Sequence, residues 1–155
     1  MNINWKNAPN APVYLPALHA AEIRHGIPLD LLARIAYQES HFRFDIVSGA
    51  VRSPAGAVGL MQLEPSDFPG AGASWLADIE TAARLLSGLH ERFQDWQVAV
   101  AAYNDGCGNI DMWLKGQRAL PLETENYVHQ VASDVGLPGS IVDIGPAQEA
   151  GAELA

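Results

Sequence analysis

The stretch WQVAVAAY, residues 96–103, carries the strongest architectural signal in the chain. Val98, Ala99, Val100, Ala101 and Ala102 follow one another without a polar break, so a helix built from them is apolar nearly all round. A helix with no solvent face belongs at the centre of a domain, and the expectation is a mainly α single domain of several helices around it. Asp95 stands ahead of the stretch as an N-cap, and Asn104 and Gly106 provide the exit.

Just before it, Ala82, Leu86, Leu89 and Phe93 recur at helical spacing and predict a helix over about 78–94, with Asp78 as its N-cap. Pro16 at a helix start and Gly26 as a stop predict another over 16–25, and Pro28 opens the next, which ends near Glu39. A short helix is expected over 109–115, and a last one capped by Thr124, bearing Val128, Val131 and Val135 before Gly136. Residues 45–75 break the pattern: Gly49, Gly56, Gly59, Gly70 and Gly72 with Pro54, Pro65 and Pro69 predict a long loop whose backbone can approach a ligand closely. Residues 1–15 read as an irregular arm, 16–136 as the domain and 137–155 as a flexible tail.

Eighteen acidic against nine basic residues give a formal charge of −9, which repels phosphate backbones and anionic lipid and argues against nucleic acid as a partner. No run approaches the roughly 20 apolar residues of a membrane span, and the first thirty residues lack the basic start and apolar run of a general secretory signal. Cys107 is the single cysteine, so no intramolecular disulfide can form. His19, His25, His41, His90 and His129 show no metal-binding spacing; neither metal nor cofactor is expected. Nothing near Cys107 in the sequence would lower its pKa and make it a nucleophile.

Within RIAYQESHF, residues 34–42, Glu39 shares a helical face with Leu32, Ile35 and Ala36. Either the helix ends early and the carboxylate reaches solvent, Arg34 or Arg43, or it points into an apolar site. In the second case, burial and the negative helix end both push its pKa upward, which suits a proton donor.

Four segments then carry a resemblance: ES at 39–40, GAVGLMQL at 56–63, AVAAYNDGCG at 99–108 and LPLETENYV at 120–128. In this order they resemble the motifs of the soluble lytic transglycosylases, the goose-type-lysozyme-like group that cleaves peptidoglycan. The resemblance implies a lysozyme-like domain in which Glu39 is the sole catalytic carboxyl, acid first and base afterwards, leaving a 1,6-anhydro sugar. It implies that Ser40 hydrogen-bonds substrate or the facing loop, and that Gly59, Leu60, Met61 and Gln62 line the cleft opposite Glu39. Tyr103 could face the cleft and hydrogen-bond Glu39 or plug the core with its hydroxyl satisfied, and the resemblance favours the cleft; Asn104 joins the substrate-binding set but is chiefly structural, and Glu123 and Tyr127 would line the cleft from the last helix.

The segment FRFDIVSGAVRSPAGAVG, residues 42–59, is longer and more charged than that family's pattern. If Asp45 or Asp67 reached the face opposite Glu39, either could hold a water and make the enzyme a hydrolase. A rival of another class is a non-catalytic glycan-binding or assembly module. The acidic charge and the lack of an export signal point to action on the cell wall after delivery by a larger assembly, a virion or a secretion apparatus.

Overall fold

The computed structural model describes residues 3–146. Among them a 3-10 turn at Trp5–Asn7 precedes eight helices: α1 (Ala11–His25), α2 (Leu31–Ser40), α3 (Phe44–Val47), α4 (Trp75–Phe93), α5 (Trp96–Asp105), α6 (Cys107–Leu114), α7 (Leu122–Val135) and α8 (Ile141–Ile144). The described residues contain no strand, only an isolated antiparallel bridge between Val58 and Leu63 inside the glycine-rich loop.

Helix α5 is central, as its composition requires. It packs against α4, α6 and α7, and Val98 through Ala102 are all buried. Asp95 caps it, its Oδ1 accepting the Val98 amide at 3.0 Å. Its exit at Gly106 and the end of α7 at Gly136, where φ is 81°, fall where the sequence puts them.

The predicted helix starts move when a packing partner is available. Helix α1 begins at Ala11 rather than Pro16, because Ala11 and Tyr14 are buried and Tyr14 packs its ring 5.5 Å from Phe42 and 5.0 Å from Trp75. Pro12 takes the proline-tolerant first turn, and Pro16 sits inside the helix on an exposed position, with no amide to give the carbonyl four residues back. The expectation of an irregular arm through residue 15 is corrected accordingly.

Helix α4 begins at Trp75 with Ser74 as its cap, so Asp78 is not a cap but a buried residue of the first turn. Thr124 is likewise inside α7, which starts at Leu122 after Pro121, and its hydroxyl is spent on a contact with α5. Beyond Gly136 the chain is not loose throughout: Ile141 is fully buried and α8 packs on α7. The remainder of the predicted tail, 147–155, lies outside the described residues.

Candidate active site

Helix α2 carries Glu39 as its penultimate residue, and both ends of the helix are held from outside. Asp30 at the N-cap is in the left-handed region and does not cap with its own side chain, which meets His19 at 2.7 Å. The buried Glu22 of α1 does the capping across the helix pair, accepting the Asp30 amide at 2.9 Å and the Ala33 amide at 3.0 Å. Leu32, Ile35 and Ala36 are buried, so Glu39 shares the inward face, as its helical phase predicts. Burial lifts its carboxyl from 4.5 to about 7, with the Tyr127 hydrogen bond opposing.

Two tyrosines bracket this acid. The Tyr127 hydroxyl of α7 donates to Glu39 Oε1 at 2.6 Å. The Tyr103 hydroxyl, from the end of α5, donates to the Met61 carbonyl at 2.8 Å and not to Glu39, which corrects the bond expected between them and ties the glycine-rich loop to the central helix. Both phenols are pushed well above their usual range, first by burial and then by the neighbouring Glu39 charge, so they serve as hydrogen-bond donors and not as acids.

The loop wall is a tight turn. Gly59 has φ of 84° and Gln62 has φ of 50°, and Gln62 folds back so that its amide and its Nε2 both donate to the Gly59 carbonyl, at 3.3 and 2.9 Å. A Cβ at Gly59 would lie 2.6 Å from Asp78 Oδ2, so only glycine fits against that carboxylate. Asp78 in turn accepts the Gly72 amide at 3.1 Å, and a Cβ on Gly72 would strike Val58. The loop therefore crosses itself at Gly59, Gly72 and Val58, and α4 pins the crossing through a buried acid whose pKa burial raises.

The structure brings Glu39, Tyr103, Tyr127 and the backbone of the Gly59–Gln62 turn together and assigns other residues elsewhere. Ser40 is fully buried, and its hydroxyl donates to the Ala36 carbonyl and accepts the Phe42 amide, at 2.9 and 3.2 Å. That corrects the expectation that it reaches substrate: a hydroxyl satisfied within its own helix end has no free face. The Leu60 and Met61 side chains are also fully buried and belong to the core, so the turn offers backbone where side chains were expected to line a cleft. Asn104 accepts the Thr124 hydroxyl at 2.9 Å and ties α5 to α7. Glu123 is exposed in the first turn of α7.

Asp45 is engaged by Arg43 at 3.1 and 2.6 Å, which holds its carboxyl below the usual carboxylate range. Asp67 is exposed on the loop. Among the described residues no group of three or more His, Cys, Asp or Glu side chains is placed to hold a metal ion. Sequence reading missed the structural roles of Glu22, Asp78 and Thr124. Asp78 and Thr124 stand in the first turns of their helices, where an intrahelical cap is the natural expectation, and Glu22 lies near the end of α1 and caps a different helix; a cross-helix partner leaves no local signal.

The sequence pattern of the transglycosylase SLT domain matches residues 16–126. The chain is 31% identical over 136 residues to a membrane-bound lytic murein transglycosylase F 2 of Alkalilimnicola ehrlichii, covering 72% of this chain and 29% of that protein. It is 31% identical over 110 residues to a membrane-bound lytic murein transglycosylase F of Desulfosudis oleivorans, covering 64% of this chain and 23% of the relative. The crystal structure of an inactive Glu-to-Gln mutant of the lytic transglycosylase Slt from Pseudomonas aeruginosa superposes with a TM-score of 0.64 at 28% identity, over 84% of this chain and 24% of the other. The lysozyme-like fold expected from the sequence is the fold observed. The chain spans less than a third of the length of the curated relatives.

Proposed function

The chain belongs to the transglycosylase SLT domain family, and from that membership we propose that it cleaves the β-1,4 bond between N-acetylmuramic acid and N-acetylglucosamine in peptidoglycan, with Glu39 as its single catalytic carboxyl. The observation that carries the reading is the environment of Glu39: an acid partly buried on an apolar helix face, protonated up to about 7 and fixed by Tyr127.

The chemistry follows from which oxygen is free. Tyr127 donates to Oε1, so the proton of the neutral acid sits on Oε2 and is given from there to the glycosidic oxygen. The C1–O bond breaks, and positive charge develops at C1 of the muramic acid. A glycosidase normally places a second carboxylate across the bond, and here that role falls to the substrate's own N-acetyl carbonyl. Glu39, now a carboxylate, takes the proton of the C6 hydroxyl as O6 bonds to C1. The products are a 1,6-anhydro-muramic end and a free 4-hydroxyl on N-acetylglucosamine. No water is consumed, and the acid is regenerated.

Gln62, Tyr103, Glu123, Tyr127 and the backbone of the Gly59–Met61 turn form the substrate-contacting set on this reading. Asp45, bound by Arg43, is a poor second carboxylate, which disfavours hydrolysis. The Slt neighbour is described as inactive with one Glu changed to Gln, which fits a mechanism hanging on one acid. A net charge of −9 disfavours free approach to an anionic wall and supports delivery to it by a larger assembly.

The test is mass spectrometry of muropeptides released from purified sacculi by wild-type protein and by Glu39→Gln. Anhydro ends from the wild type and none from the folded variant are expected. Reducing ends would replace the lyase reading by a hydrolase, and release by Glu39→Gln would remove Glu39 from the mechanism.

A further inference from the structure

The two residues that follow the acid's helix are both in the left-handed region, His41 with φ of 51° and Phe42 with φ of 56°. For a bulky side chain this is a strained conformation that persists only where its surroundings hold it. Phe42 is fully buried, its ring 5.8 Å from Trp5, 5.5 Å from Tyr14 and 5.4 Å from Tyr37. Its amide donates to Ser40 Oγ at 3.2 Å. Its carbonyl accepts from Asn10 Nδ2 at 2.9 Å, across 32 residues of sequence.

Asn10 occupies the N-cap of α1, where an asparagine ordinarily caps its own helix, yet it makes no side-chain cap bond. The side chain is directed to the Phe42 corner in its place. That corner sets where α2 stops, and Glu39 lies in the last turn of α2, three residues before Phe42.

We propose that Asn10 is a positioning residue for Glu39: by holding the Phe42 carbonyl it fixes the left-handed corner that ends α2 and so aims the acid at Tyr127 and the substrate. The proposal rests on Glu39 being the catalytic acid. With the bond removed, Phe42 relaxes toward the ordinary backbone region and the last turn of α2 loses its fixed end. The 2.6 Å alignment of Glu39 with Tyr127 then loosens, while the surfaces that bind glycan stay in place.

Asn10→Ser and Asn10→Asp separate this role from stability. Both residues cap helices well, so each can keep α1 intact. Neither reproduces the bond, since serine is too short to span it and an ionised aspartate has no proton to donate. The experiment measures kcat and KM for release from purified sacculi and the melting temperature by circular dichroism, with wild type and Glu39→Gln alongside. The expected result is a melting temperature close to wild type, KM little changed, and kcat lowered on the order of 10- to 100-fold, as misplacement of a reacting group produces. Wild-type kcat per folded molecule in either variant overturns the proposal. Outright unfolding of both, or loss of melting temperature with kcat intact, assigns Asn10 to the fold alone and overturns it as well. Wild-type protein that releases nothing defeats the proposed function itself, and this inference with it.

Discussion

Glu39→Gln should make the protein more stable at pH 8 than the wild type, and no more stable at pH 4. The carboxyl ionises near 4.5 in the unfolded chain and near 7 in the folded one. Below pH 4.5 both states carry the proton and burial of the neutral acid costs little. Between 4.5 and about 7 the unfolded chain loses its proton while the native state keeps it, so native stability falls as pH rises. Above the folded pKa the whole penalty is present. Raising the carboxyl from 4.5 to about 7, at about 1.4 kcal/mol for each tenfold change in proton affinity, sets a ceiling of about 3.5 kcal/mol. Water reaching a partly exposed carboxyl reduces the expected value to about 2 kcal/mol. For a chain of this size that is about 4–8 °C in melting temperature. Glutamine keeps the acceptor for Tyr127 and carries no charge, so the variant lacks the penalty at every pH. Thermal melts of both proteins at pH 4, 6 and 8 and constant ionic strength cancel the titration of all other groups in the difference. A difference that stays flat from pH 4 to 8 would refute the assignment of a raised pKa to Glu39, and with it the reason this acid holds its proton near neutrality.

Tyr127→Phe removes the hydrogen bond that holds the Glu39 pKa down and leaves the burial that raises it. The alkaline limb of the rate profile should therefore move up by about one pH unit, with kcat reduced; an unchanged or lowered limb in the pH dependence of kcat would contradict the geometry. Gly59→Ala places a Cβ 2.6 Å from the Asp78 carboxylate on a backbone with φ of 84°, and should lower stability by at least about 1–2 kcal/mol from the backbone alone, read from urea denaturation. A variant as stable as wild type would mean that the loop does not cross itself against Asp78.

The strain around the site is consistent with that stability penalty. A buried acid of raised pKa, a buried Asp78, and non-glycine residues at positive φ at His41, Phe42 and Gln62 all sit on the elements that carry the proposed chemistry. Each lowers stability where the site gains a fixed geometry, and the compensation comes from the apolar core around α5.

The features legible along the chain are those that form within a few residues. The apolar run 96–103 and its Asp95 cap placed the central helix, helical phase put Glu39 on the same face as Leu32, Ile35 and Ala36, and glycine spacing placed the loop. These rest on i to i+4 geometry and on backbone conformations open to one residue type, and both are written locally. The partners of the polar groups were fixed by folding. Ser40 turned inward to its own helix end, Asn104 paired with Thr124, Asp78 clamped the loop instead of capping α4, and Asn10 left the cap of α1 to hold Phe42. A short polar side chain has several possible partners within reach of its own helix. The one it takes depends on which backbone group from a distant segment arrives beside it without water, and that is settled by packing of the whole domain.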